Sequence, residues 1–84
     1  MNETEKYDKI IALMEQKDKI ISNLNTDSIS AEELNKLAKQ FHDSAFSLMW
    51  CYEKGMFIRE EWLEKLQKMF DNMKEMSDKL NQKE

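Results

Sequence analysis

His42 and Cys51 are the residues whose types could carry nucleophilic chemistry, and the 84-residue chain has only one of each. A Cys–His nucleophile needs thiol and imidazole within hydrogen-bond reach. The two are separated by nine positions in a stretch that reads as helix. That is roughly 13 Å along a straight helix axis, so one copy does not bring them together. Asp43 follows His42 directly, but adjacent helical residues point about 100° apart and do not pair. His42 therefore reads as an ordinary amphipathic residue near Phe46, and Cys51 as a small apolar filler. No catalytic residue is expected, and the chain reads as a non-enzyme.

Metal and phosphate chemistry find no better footing. There is no Cys-x-x-Cys and no His-x-x-x-His, the spacings that zinc sites use. The Glu-x-x-His pair of di-iron bundles is broken, because Lys39 stands where the glutamate belongs. The segment "DNMKEMSDKLNQ" has carboxylates without the glycine and spacing of a calcium loop. A single glycine, Gly55, cannot build a phosphate-cradling loop. No cofactor and no metal are expected. "YEKGMFIREEWLEKL" has the outline of a helix-turn-helix. Its second helix opens with Glu60, Glu61 and Glu64, which carry the wrong sign for phosphates. Net charge is −4 with both signs interspersed, which gives no electrostatic footprint for nucleic acid.

What remains is the set of helices that would hold these residues. Charged residues make up 36% and hydrophobic ones 40%, a balance that is neither disordered-like nor membrane-like. No apolar run approaches a membrane span, and the N-terminus "MNETEKYDKI" has no apolar signal core. A lone cysteine excludes an internal disulfide. The expectation is a cytoplasmic protein without membrane association, acting in a host's cytoplasm if phage-encoded. Residues 1–84 form a single small helical domain.

Tyr7, Ile10, Leu13, Met14, Ile20, Ile21 and Leu24 fall on one helical face. Lys17 interrupts that stripe and reads as snorkelling, its methylenes over apolar neighbours and its ammonium wet. Thr4 is the candidate N-cap. The helix stops in "NLNTDSIS", whose polar side chains compete for backbone groups. In "ISAEEL", Ser30 and Glu33 have the spacing of a capping box, and Ile29 with Leu34 that of a hydrophobic staple. The second helix then carries Leu34, Leu37, Ala38, Phe41, Ala45, Leu48, Met49 and Tyr52 on one face. Phe46 and Trp50 form a second stripe about 100° around. The third carries Trp62, Leu63, Leu66, Met69, Phe70, Met73, Met76 and Leu80. Its outer face offers pairs at four-residue spacing: Glu61 with Lys65, Glu64 with Lys68, Lys74 with Asp78, Glu75 with Lys79.

Gly55 decides the architecture. Glycine takes the left-handed conformation that closes helices, and Lys54 sits where a cation suits the helix dipole. Against a turn, no Ser, Thr, Asp or Asn caps the next helix, and the seven-residue row Leu34, Phe41, Leu48 resumes as Trp62, Met69, Met76. The preferred reading is an all-α antiparallel three-helix bundle with helices at about 5–24, 31–54 and 59–81. The alternative is a helical hairpin with one long continuous second helix, stable only in an oligomer.

Three short helices cannot enclose four phenylalanines, two tyrosines and two tryptophans. Aromatic residues that fail to fit inside anchor interfaces. The expected function is a protein-interaction module, a small adaptor or inhibitor that binds a larger protein. A phage-encoded antagonist of a host defence or transcription protein has this size and composition. The expected partner-binding residues are Phe46, Trp50, Met56, Phe57, Ile58 and Trp62. Association into a homodimer or higher homo-oligomer is expected alongside. A small-ligand-binding helical oligomer and a self-assembling structural subunit are the alternatives.

Overall fold

A computed structural model describes residues 2–24 and 29–81, the side chains of Ile29, Ser30 and Asn81 excepted. It contains three helices, α1 (Glu3–Ser22), α2 (Ile29–Glu53) and α3 (Glu60–Asn81). Each buries a row that alternates steps of three and four residues. In α1 the row is Lys6, Ile10, Leu13, Lys17; in α2 it is Ala31, Leu34, Ala38, Phe41, Ala45, Leu48; in α3 it is Leu63, Leu66, Phe70, Met73, Ser77. Such rows are the seams along which helices pack nearly (anti)parallel.

Contacts between distant residues fix the topology. Tyr7 stacks on Tyr52 with ring centroids 4.4 Å apart, and Lys17 Nζ lies 3.5 Å from His42 Nδ1, so α1 and α2 are antiparallel. Phe41 meets Phe70 at 6.0 Å between centroids. Glu3 and Lys6, at the start of α1, both bond Ile58, two residues before α3. Hence α1 and α3 begin at the same end, and the bundle runs up, down, up. It measures 45 × 18 × 18 Å.

Gly55 ends α2. Its φ is +73°, in the left-handed region that costs an L-residue with a Cβ but not glycine. The Met56 amide donates to the Cys51 carbonyl at 2.8 Å and the Gly55 amide to the Tyr52 carbonyl at 3.0 Å. These two bonds are the Schellman closure of a helix, and they exclude the long continuous helix. The seven-residue row that runs on past the glycine changes its role there. Phe41 and Leu34 are fully buried, whereas Trp62 is exposed and Met69 and Met76 are half-buried. The turn rotates α3 so that the neighbouring row, Leu63 to Met73, faces inward.

Two helix starts differ from the sequence expectation. In α1 the cap is Asn2 rather than Thr4: its side chain accepts from the Glu5 amide at 2.8 Å, and Glu5 Oε1 accepts from the Asn2 amide at 3.1 Å. That is a complete capping box. The α2 backbone is already helical at Ile29, so Ser30 lies inside the first turn instead of capping it. Polar cap-competent residues crowd "NTDSIS", and the spacing to Glu33 does not choose among them. The residue preceding α2 lies outside the described residues. On α3, Glu75 and Lys79 close their pair at 3.4 Å, while Glu61 sits 3.8 Å from Arg59.

Candidate functional site

The polar groups with unusual surroundings sit at the α1 N-terminus. Lys6 is 1% exposed, and a buried ammonium requires hydrogen-bonding partners. It donates to Glu3 Oε1 at 2.8 Å and to the Ile58 carbonyl, and lies 4.0 Å from the centre of the Phe57 ring. The other oxygen of Glu3 accepts from the Ile58 amide at 2.9 Å. Together Glu3 and Lys6 bond both backbone groups of one loop residue. The Lys6 hydrogen bond, then the Ile58 amide, hold the Glu3 carboxyl below its ordinary pKa against a smaller opposing effect of burial. This arrangement pins the α2–α3 loop to α1. It is structural.

Sequence reasoning passed over Lys6. The signal was present, since Lys6, Ile10, Leu13 and Lys17 share one three-four row with Leu24. Lys17 follows that row but does not hold its ammonium in open water. It lies 2.6 Å from Asp18 Oδ1 and faces His42 across a cleft between α1 and α2. His42 in turn packs on Phe46, with ring centroids 4.4 Å apart. Cys51 opens toward α3 instead, so the histidine and the thiol lie on different sides of α2. Among the described residues, no three His, Cys, Asp or Glu side chains come together as a metal site. Among them, too, no helix is long and apolar enough to cross a membrane.

Of the six residues expected to meet a partner, five are at the surface. Phe46 and Trp50 are 54% and 55% exposed, and Met56, Phe57 and Trp62 are exposed as well. Ile58 is not: it is fully buried in the core. The correction has a physical cause, because Lys6 and Glu3 draw the Ile58 backbone inward and its side chain follows into the bundle end. The five exposed residues divide between two regions. Met56 and Phe57 stand on the α2–α3 loop. Phe46, Trp50 and Trp62 border two adjoining depressions on α2 and α3 that share Ser47 and Cys51. The depression between the two helices, about 380 Å³, runs between Ser44, Ser47 and Cys51 on α2 and Trp62, Lys65 and Met69 on α3.

Both tryptophans carry a cation near the ring. Lys54 Nζ lies 5.8 Å from the Trp50 ring centre and the Arg59 guanidinium 5.7 Å from that of Trp62. Such contacts restrain a half-exposed indole without covering it. The floor of the groove is small and chemically quiet. Ser47 Oγ donates to the Asp43 carbonyl at 3.1 Å within its own helix, so covering it would leave its hydroxyl bonded. The site offers large apolar walls, a floor of small residues and few polar demands. No protein family model matches this chain, and neither curated proteins nor solved structures show a match to it.

Proposed function

We propose that this chain is a non-enzymatic protein-interaction module, an adaptor or inhibitor that works by burying its exposed aromatic residues against another protein. The observation that carries the reading is the contrast within one small bundle. Its core is already closed around Phe41, Phe70 and the Leu34–Leu66 rows, yet Phe46, Trp50, Phe57 and Trp62 stay at the surface. Clustered exposed aromatics on a small domain mark contact surfaces. The acids Glu60 and Glu61 in the first turn of α3 argue against direct nucleic-acid binding. The half-exposed free thiol of Cys51 suits a reducing, cytoplasmic setting, including a host's cytoplasm for a phage-encoded antagonist.

The test is affinity capture with the full chain from its native cytoplasm, comparing wild type with Phe46→Ala/Trp50→Ala and with Met56→Ala/Phe57→Ala. The expected result is one stoichiometric protein partner whose recovery falls with at least one double variant, each variant remaining helical. Recovery unchanged by both would overturn the reading. The α2–α3 groove has a volume in the range of ligand pockets, which favours small-ligand binding as the second reading. A ligand-dependent rise in melting temperature, without protein capture, would put that reading first.

A further inference from the structure

We propose that the occupant of the α2 face is a second copy of this chain, with the two α2 helices packed antiparallel about a two-fold axis level with Leu48 and Met49. The inference rests on reading that face as an interaction surface. It leaves the Met56–Phe57 corner for a different partner.

The argument is self-complementarity. In a two-fold interface each residue meets a residue equally far from the axis on the other copy. On the outward stripe of α2, Asp43, Ser47, Trp50 and Lys54 recur at steps of four, three and four, so they share one face. About the stated axis, Asp43 falls level with Lys54 of the second copy, Ser47 with Trp50, and Phe46 with Cys51. Each exposed aromatic side chain thus meets a small one, and Asp43 meets the opposite charge of Lys54. The pairing repeats twice by symmetry. Glu53 falls level with Ser44, so no like charges are placed level with each other.

Three observations on the single chain support this occupant. Asp43 and Lys54 are exposed and neither makes an ion pair among the described residues. Their spacing is about 16 Å along the helix at 1.5 Å per residue, so the two ion pairs would bracket the aromatic centre. Trp50 of one copy would rest over Ser47 of the other, whose hydroxyl is already bonded to Asp43. The indole could cover it without stranding a donor. The floor of Ser44, Ser47 and Cys51 also lets a helix approach closely, as small residues at a helix contact do. Trp62 and Met69 on α3 border the same groove and would close one flank.

Charge exchange tests the pairing, measured by sedimentation equilibrium of the full chain over a concentration series. Wild type should dimerise. Asp43→Lys alone and Lys54→Asp alone should each weaken the dimer by about ten-fold, since each removes two pairs and sets like charges together. The exchange Asp43→Lys/Lys54→Asp should restore it toward wild type. Both positions are exposed, and circular dichroism checks that all three variants keep the fold. A monomer at every concentration would overturn the proposal, as would a dimer indifferent to the single reversals or not rescued by the exchange. Failure of the underlying reading looks different: Trp50→Ala and Phe46→Ala would then change neither self-association nor capture of another protein.

Discussion

The α2–α3 loop corner and the outward face of α2 both present aromatic side chains, yet they differ in how their polar groups are used. At the corner, Glu3 and Lys6 bond the amide and carbonyl of Ile58, Lys6 also faces Phe57, and the Ile58 side chain fills the core. On the α2 face, Asp43 and Lys54 have no ionic partner among the described residues, and Trp50 and Phe46 remain more than half exposed. The first region is completed by residues distant in sequence but within one copy. The second has the same kinds of residue without that completion. A buried lysine is tolerable where a carboxylate and a carbonyl receive it. The contrast is between polar groups already used within the fold and polar groups left at the surface.

Substitutions in the two regions should therefore fail in different assays. The largest loss of folding stability is expected for Lys6→Ala, about 2–3 kcal/mol, because the buried Ile58 carbonyl loses its donor and Glu3 its cation. Thermal and urea unfolding would measure it, and self-association should be unaffected at temperatures where the variant is folded. A variant as stable as wild type would remove the basis for calling the corner structural. Trp50→Ala should show the reverse pattern. Stability of the isolated monomer should shift by no more than about 0.5 kcal/mol, as at other exposed positions, while association should lose about 2 kcal/mol, the scale of an aromatic anchor. Unfolding measured below the dimer's dissociation constant would distinguish the two. A large loss of monomer stability would make Trp50 part of the fold.

Gly55→Ala sharpens the comparison at the joint between the regions. A Cβ at Gly55 meets no atom within 4 Å, so the cost is that of the left-handed backbone alone, about 1 kcal/mol. The expected outcome is a lower melting temperature at fixed concentration. A higher one, with added helical signal, would mean that α2 and α3 can fuse. The smallest effect is that of Glu3. Its folded-state pKa lies below the ordinary value, chiefly through the Lys6 hydrogen bond. Its stabilisation is therefore fully present above the unfolded-state pKa of an ordinary carboxylate, and is lost as pH falls through the depressed folded-state value. Unfolding of wild type and Glu3→Gln, followed across the acid range, should show a difference that is greatest near neutrality and vanishes in strong acid. A constant difference would mean that the Glu3 charge is not what holds the loop.

Much of the bundle was legible along the chain. Residues such as Leu34, Phe41 and Leu48 announce a helical face because side chains three, four and seven apart must stack. Gly55 with Lys54 before it announces a closing turn. The exposure of Phe46 and Trp50 was half legible: their stripe stands well away from the Leu34–Leu48 face, but a wide apolar arc fits a central helix as well as an interface. Ile58 was not legible. An apolar loop residue between Phe57 and Arg59 looks like surface until Lys6 and Glu3, more than fifty positions away, are seen to bond its backbone.

The sequence by itself determined the helical stretches and the apolar rows along them and favoured a break at Gly55 over a continuous helix, because propensity, periodicity and left-handed glycine are properties of neighbours along the chain. Only the tertiary structure decided which row of each helix faces inward. The seven-residue spacing of Leu34, Phe41 and Leu48 runs unbroken into Trp62, Met69 and Met76, yet the turn rotates α3 and buries Leu63, Leu66, Phe70 and Met73 instead. Periodicity fixes the angle between residues of one helix and not the angle at which that helix meets the next. That second angle is set by all three helices excluding water together. It leaves Trp62 and Met69 beside Cys51 and Ser47, where they border the groove.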